Sequence, residues 1–275
     1  MQNIIPPIWF INNNSYNKIF NNYFNQLSND DKEEYKNLFE EPIIYKGFYN
    51  NNFINENVFS NNDYKIEYWN EEGKQKYSLN KLKTDFNKGK KIDFLFFYGH
   101  TNDKNEITKS SLSQWYIKDF KANNLTFNCM EKYMMYNKAL LFDDKKIAEE
   151  ILNNNQPKTI KELGRKVSNF KDETWDKVKY TIILKGNYHK FSQNNDLRNF
   201  LLNTKNKILV EASPYDKVWG IKMKYDNENI ENPFFWQGEN LLGFALMEVR
   251  DEIKRVYKNY DIIDWNSFNN QYNFS

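Results

Sequence analysis

Apolar side chains recur at three- and four-residue spacing through most of the second half of the chain, as they do on amphipathic helices. This spacing predicts helices over 131–142, 159–170, 172–187, 196–202 and 238–257. Two short runs are continuously apolar instead, and they predict buried strands over 93–98 and 207–211. The expected fold is therefore mainly α, in the α+β class, with a few short strands. It lacks the regular strand–helix alternation of a dinucleotide-binding domain.

The first 90 residues have a different pattern from the rest. Residues 15–41 carry apolar side chains at helical spacing, and residues 45–77 alternate aromatic and polar positions as short strands or a hairpin would. Tryptophan and glycine clusters become denser beyond residue 90. We therefore expect an N-terminal extension over 1–90, a main domain over 91–260 and a C-terminal tail over 261–275.

Composition narrows the class of protein. The 275 residues include one cysteine, Cys129, and two histidines, so an internal disulfide is impossible and a zinc site is not expected. The chain has no run of about 18 apolar residues and no basic leader peptide, which predicts a soluble, cytoplasmic protein that contacts no membrane. No cofactor is expected. The net charge of +2 neither requires nor excludes a nucleic-acid partner.

Arginine is rare in a chain rich in lysine. The four arginines are Arg165, Arg198, Arg250 and Arg255. A guanidinium group binds carboxylates and phosphates in a forked geometry that lysine does not reproduce. Each arginine is therefore a candidate for an anion contact.

Two polar residues on the helix predicted over 131–142 carry candidate chemistry. Glu131 and Lys138 are seven residues apart, so two helical turns bring them to one face, about 10 Å apart along the axis. Met134 and Met135 lie between them, and a carboxylate or amine beside an apolar wall acquires a pKa suited to acid–base or covalent catalysis. A structural interpretation stays open, because Asn128 and Glu131 have the spacing of a capping box and Lys138 would then be a surface lysine.

A second candidate region follows the strand predicted over 207–211. Pro214 turns the chain, and Asp216 and Trp219 follow three residues apart. Loops after strands often present polar groups to ligands, and tryptophan offers a face on which a base stacks. The alternative is that Trp219 anchors the loop to the core and Asp216 caps a turn.

A series of short motifs runs through the main domain. The motifs lie at 96–100, 112–116, 130–142, 163–165, 186–193, 210–213, 216–220, 236–243 and 245–250, with Trp175 between them. In identity and order they resemble the NADAR family, also called YbiA-like, over about residues 94–258. The chain departs from the family at Lys132, where histidine is usual, and at Lys222, where glycine is usual.

The resemblance implies a compact, mainly α-helical fold. It also implies hydrolysis of an N-glycosidic bond between a base or amine and a ribose. It implies that Glu131 is the catalytic glutamate and that Lys138 traps the opened ribose as a Schiff base. The expected substrate-binding residues are Trp115, Arg165, Trp175, Lys190, Asp216, Trp219, Gly220 and Asn240. Among them, Arg165 and Lys190 are the candidates for a phosphate contact.

The resemblance also implies two substrate classes. One branch of the family removes ADP-ribose from guanine in nucleic acid, often as the antitoxin to an ADP-ribosyltransferase. The other cleaves ribosyl-phosphate from an aminouracil intermediate of riboflavin synthesis. The motifs at 186–194 and 240–250 favour the first branch, which makes ADP-ribosylated DNA or RNA and a cognate ADP-ribosyltransferase toxin the expected partners. Two rivals remain: a module that binds ADP-ribose without cleaving it, and a protein-interaction role for residues 1–90.

Overall fold

The computed structural model describes residues 75–101, 106–122 and 125–256, and most of its regular structure is helical. The α-helices of these ranges are α1 Leu79–Asn87, α2 Met130–Leu141, α3 Lys145–Leu152, α4 Pro157–Arg165, α5 Asp172–Gln193, α6 Asn195–Asn203 and α7 Leu241–Val256. The strands are β1 Phe94–Phe97, β2 Phe120–Ala122, β3 Leu125–Phe127 and β4 Ile208–Glu211, and a 3₁₀ turn spans Lys109–Leu112. The prediction of a mainly α fold with a few short strands is confirmed.

Helix α5 runs through the centre of the domain. It packs against α2, α6, α7 and β2, and its second half is almost entirely buried. At Gly186 a Cβ atom would lie 2.5 Å from the side chains of Met130 and Tyr133, so a larger residue would push α5 away from α2. Glycine at this position therefore lets α5 press against the helix that carries Glu131 and Lys138.

Strands β1 and β4 form a two-stranded parallel sheet in which Phe97 lies opposite Glu211. The carboxyl ends of parallel strands meet at one edge of the sheet, and the segments after both strands begin there. Asn240, immediately before α7, joins that helix to β4: its Oδ1 accepts from the Glu211 N–H at 3.0 Å and its Nδ2 donates to the Leu209 carbonyl at 2.9 Å. The end of β4 is therefore held in place by the start of α7.

Several helix ends differ from those predicted: the helix expected over 238–257 begins at Leu241, and the one expected over 159–170 ends at Arg165. The helix expected from residue 159 begins at Pro157, whose ring suits the first turn of a helix. The capping box at the start of α2 does not form, because Cys129 is the N-cap residue and Asn128 Nδ2 donates to the Asn155 carbonyl at 2.9 Å. The capping interpretation of Glu131 is therefore wrong.

The sequence pattern did not predict three of the elements, which are the β2–β3 hairpin, α3 and α1. Helix α1 lies in the part assigned to the N-terminal extension, yet it buries Leu82 in the core of the main domain. Just before it, the Tyr77 hydroxyl donates to Asp251 on α7 at 2.7 Å. The division at residue 90 stays a prediction. The element expected over 15–41 and the tail over 261–275 lie outside the described residues, as does all of the element expected over 45–77 except 75–77, which form no strand.

Candidate active site

Glu131 lies in the first turn of α2 and is only 3% exposed. Its Oε2 accepts a hydrogen bond from Nε1 of Trp115 at 3.1 Å. Its Oε1 is buried and has no hydrogen-bond partner among the described residues. A buried carboxylate oxygen without a donor is costly, so such atoms are often found where a ligand completes the site.

The surroundings of Glu131 include groups that raise its pKa and groups that lower it. Burial raises the pKa of Glu131 to about 7, and the negative charge of Asp216 adds to that rise. The positive charges of Lys161 and Arg165 and the Trp115 hydrogen bond act in the opposite direction. Near neutral pH the carboxyl group is therefore present in both its protonated and its ionised form, as a group that donates or accepts protons requires.

Lys138 lies two turns further along α2, beside aromatic rings. Its Nζ is 4.1 Å from the centre of the Phe170 ring and 5.9 Å from that of Trp175. Burial lowers the pKa of Lys138, against the opposing effect of Asp172 and Glu131. A lowered pKa increases the fraction of neutral amine, which is the form that adds to a carbonyl carbon.

The Leu-Gly-Arg motif ends α4 at the site. A Cβ atom at Gly164 would collide with the Met135 side chain, so glycine allows α4 to lie directly on α2. This close approach brings the Gly164 carbonyl to 2.8 Å from Nζ of Lys138, to which it is hydrogen-bonded. Arg165, the next residue, is exposed, and its charge acts on Glu131.

Lys161 is a site residue that the sequence reasoning missed. Its Nζ lies 5.6 Å from the centre of the Trp115 ring, and its charge acts on both Glu131 and Glu211. Lys161 and Arg165 are four residues apart on α4, so they share one helical face. That spacing was the signal that could have indicated this basic strip.

Two further carboxylates reach the site from the end of β4. Asp216 accepts the Trp219 N–H at 2.8 Å, which fixes the loop after the strand. Glu211, to which the sequence assigned no role, has its Oε2 buried with no partner in the described part of the chain. Burial raises the pKa of Glu211 to about 8; the charges of Asp216 and Glu131 add to this and that of Lys161 opposes it. Asp216 acts on both Glu131 and Glu211, and Glu131 acts on Glu211, which indicates that the three carboxylates surround one site.

The structure brings six of the predicted site residues together. They are Trp115, Glu131, Lys138, Arg165, Trp175 and Asp216. Hydrogen bonds, ring contacts or charge effects link each of them to Glu131 or Lys138. The cluster draws on α2, α4 and α5 and on the loops that contain Trp115 and Asp216.

The other four predicted substrate-binding residues lie in the supporting scaffold: Lys190, Trp219, Gly220 and Asn240. Lys190 is 0% exposed and donates to the carbonyls of Ser111 and Ser113 at 2.9 and 3.0 Å, which leaves no surface for a phosphate contact. The Asn240 amide is taken by the β4 backbone. Trp219 is buried, and a Cβ at Gly220 would lie 2.7 Å from the Glu211 carbonyl. These residues position the site rather than line it.

The two departures from the family pattern have structural explanations. Lys132 Nζ donates to Asn155 at 3.1 Å, so this side chain is engaged away from the hydrogen bonds of Glu131. Lys222 has a φ of 51°, a conformation that glycine adopts without strain. The backbone there keeps the conformation that suits the usual glycine.

The described ranges contain no group of three or more His, Cys, Asp or Glu side chains placed to hold a metal ion. In the same part of the chain no helix has the length and apolar character needed to cross a bilayer.

Comparison with known proteins identifies the family. The model of the NADAR domain matches residues 96–254, which include all the clustered residues. The chain belongs to the NADAR family. It is 45% identical over 166 residues to an N-glycosidase of Acanthamoeba polyphaga mimivirus, an alignment that covers 58% of this chain and 95% of that protein.

Two other relatives extend the comparison. This NADAR protein is 30% identical over 157 residues to the N-glycosidase YbiA of Escherichia coli, covering 57% of this chain and 86% of the relative. The NMR structure of that protein covers 60% of this chain and 86% of its own, with a TM-score of 0.48 and 28% identity. A chloroplastic riboflavin biosynthesis protein of Arabidopsis thaliana, PYRR, is 30% identical over 146 residues, covering 50% of this chain and 22% of the relative.

Proposed function

We propose that this NADAR protein is an N-glycosidase that hydrolyses the bond between a base and a ribose. The observation that carries the proposal is the pairing, on one face of α2, of the buried Glu131 carboxyl with the Lys138 amine. The Glu131 carboxyl has an oxygen without a partner among the described residues and a pKa of about 7. Burial lowers the pKa of the Lys138 amine. Relatives named as N-glycosidases support this reaction class.

The favoured substrate is ADP-ribosylated guanine in nucleic acid. Lys161 and Arg165 form a basic strip beside Glu131, and such a strip suits the two phosphates of ADP-ribose. The motifs at 186–194 and 240–250 favour the same branch of the family. A nucleic-acid-modifying ADP-ribosyltransferase is the cognate partner that this substrate implies, and the protein would act as its antitoxin.

The reaction follows from the charges that develop as the bond breaks. Positive charge grows at C1′, where an ionised carboxylate stabilises it, and the leaving nitrogen takes up a proton. The neutral Lys138 amine forms a bond to C1′ as the base leaves, and opening of the sugar at O4′ gives a Schiff base. Water then adds to C1′ and displaces the amine, and the sugar closes again.

Hydrolysis of a phosphoribosyl aminouracil is the second candidate. It is favoured by the similarity to the riboflavin biosynthesis protein of Arabidopsis thaliana. A single phosphate would then be bound by the same basic strip on α4. A module that only binds ADP-ribose is the third candidate, and the retained Glu131 and Lys138 argue against it.

The proposal is tested by incubating the full chain with an oligonucleotide that carries ADP-ribosylated guanine and, in parallel, with the phosphoribosyl aminouracil. Released ADP-ribose or ribose phosphate is measured by mass spectrometry, with Glu131→Gln as the matched control. Release from the oligonucleotide by the wild type alone supports the favoured substrate. Release only from the aminouracil supports the second candidate, and binding of ADP-ribose without any release supports the third.

A further inference from the structure

The backbone of Glu211 is held from several directions. Its N–H donates to Asn240 and its carbonyl accepts the Ile221 N–H, each at 3.0 Å. The loop that contains Gly220 packs so closely on the same carbonyl that a side chain there would collide with it. The Glu211 backbone is therefore fixed in position, and a fixed backbone is a condition for a preorganised catalytic side chain.

The Glu211 side chain has a buried oxygen that no described residue binds. Its Oε2 is buried and has no hydrogen-bond partner among the described residues, and the same is true of Oε1 of Glu131. The two side chains come from different elements, β4 and α2. The charge of Glu131 acts on Glu211, and the charge of Lys161 acts on both. Two carboxyl groups at one site, each with a buried oxygen that lacks a partner in the described ranges, resemble the carboxyl pair of glycosidases, in which one group is the acid and the other acts in its ionised form.

We infer that Glu211 is the acid of the reaction and gives its proton to the leaving nitrogen, while ionised Glu131 stabilises the positive charge at C1′. The inference rests on the proposed N-glycosidase function and assigns the acid role and the charge-stabilising role to separate side chains. It also gives a function to a residue that the resemblance left without one.

The surroundings of the two carboxyl groups explain this division. Glu131 receives the Trp115 hydrogen bond and the positive charges of Lys161 and Arg165, all of which favour its ionised form. Among the described residues, Lys161 is the one group with that effect on Glu211, and burial raises the Glu211 pKa to about 8. Near neutral pH, Glu211 is therefore the partner that holds a proton.

The proton transfers balance. The Glu211 proton moves to the leaving nitrogen as the C1′–N bond breaks and the Lys138 amine bonds to C1′. One proton of the bonded amine then passes to O4′ as the C1′–O4′ bond breaks and the Schiff base forms. The water that later hydrolyses the Schiff base gives its oxygen to C1′, and one of its protons returns to Glu211. The net reaction is hydrolysis, with one hydrogen of water on the base and the remaining hydroxyl on the sugar.

The test compares Glu211→Gln with the wild type over about pH 6 to about pH 9. Glu248→Gln is the control, because Glu248 is also a buried carboxyl with a pKa raised to about 8 but lies on α7, hydrogen-bonded to Tyr180 at 2.8 Å. We expect wild-type kcat/KM to fall below about pH 7 and above about pH 8. Glu211→Gln should lower kcat at least ~100-fold and remove the alkaline fall, with the Kd for ADP-ribose changed by less than about threefold. Glu248→Gln should keep the wild-type profile.

Failure of the proposed function and failure of the acid role of Glu211 give different results. If the wild type cleaves neither N-glycoside, the proposed function fails and this inference with it. If the wild type is active but Glu211→Gln retains activity within about tenfold, or keeps the alkaline fall, the acid role of Glu211 is refuted while the proposed function stands. Should Glu211→Gln not fold by near-UV circular dichroism, Glu211→Asp replaces it. Loss of the alkaline fall in that variant, which keeps a carboxyl group, would overturn the inference.

Discussion

Trp115 and Glu131, from different parts of the chain, are joined by a 3.1 Å hydrogen bond from the indole Nε1 to the carboxylate Oε2. A second contact joins the same two segments, since the Glu131 N–H donates to the Gln114 carbonyl at 2.9 Å. The loop that contains Trp115 is supported in turn by Lys190, which donates to the carbonyls of Ser111 and Ser113. A buried lysine on α5 thus stabilises the loop that orients the carboxyl group on α2.

Trp115→Phe should move the acid limb of the pH–rate profile to higher pH. The Trp115 hydrogen bond lowers the pKa of Glu131, so its removal raises that pKa and Glu131 becomes ionised only in more alkaline solution. Activity should therefore fall more at about pH 6.5 than at about pH 8.5. An unchanged profile in steady-state assays would show that the hydrogen bond has no effect on the reaction.

Glu131→Gln should lower turnover at least ~100-fold, because a neutral amide does not stabilise the positive charge that develops at C1′. The fold should not suffer, since Gln still offers an oxygen to Trp115. The pKa of Glu131 is raised in the folded protein from 4.5 to about 7, so its carboxyl loses stabilising effect as pH rises through that window. The Tm of Glu131→Gln should therefore rise relative to the Tm of the wild type from about pH 5 to about pH 7. Normal activity with a lowered Tm would assign Glu131 a structural role.

Lys138→Arg separates covalent from electrostatic catalysis. Arginine keeps the positive charge but stays protonated, so it forms no Schiff base. We expect the variant to bind ADP-ribose and to be almost inactive. Borohydride added during turnover should fix a sugar adduct on Lys138 of the wild type, located by peptide mass spectrometry.

Lys118→Arg is the matched control for that experiment, because Lys118 forms an ion pair with Asp196 at 2.7 Å outside the site. It should retain activity and the adduct. An adduct on another lysine would move the covalent role to that residue, and an active Lys138→Arg without any adduct would exclude the Schiff base.

Lys190→Met tests the structural role of the buried lysine. Burial lowers the pKa of Lys190 to about 7, and its amine is the donor to two buried carbonyls. Their loss should cost about 1–3 kcal/mol of unfolding free energy in urea denaturation. The Kd for ADP-ribose should change by less than about threefold. A stable variant with strongly weakened ADP-ribose binding would restore the phosphate contact expected from the sequence.

Truncation tests the division at residue 90. The fragment 91–275 contains the whole family match over 96–254 and should fold. It should melt below the fragment 75–275, because it loses the Tyr77–Asp251 hydrogen bond and the burial of Leu82, together worth about 2–5 kcal/mol. A molten 91–275 fragment, judged by near-UV circular dichroism, would mean that the earlier residues complete the core.

The sequence alone determined the features that depend on local periodicity. Helices α2, α5 and α7 and strands β1 and β4 follow from apolar spacing, because one buried face repeats at the period of the element. The same spacing put Glu131 and Lys138 on one side of α2. The sequence was less informative where side chains bind distant partners: Asn128, expected to cap α2, binds the Asn155 carbonyl instead.

Only the tertiary structure decided which polar residues line the site and which support it. Lys190 and Asn240 are as polar as Lys161 and Glu211, yet the first two satisfy backbone carbonyls and amides while the last two act on Glu131. The partners of these four residues are distant in the sequence, so no local sequence pattern predicts the contacts. The raised pKa values of Glu131 and Glu211 have the same origin, because a carboxyl group loses its water only when other elements close over it.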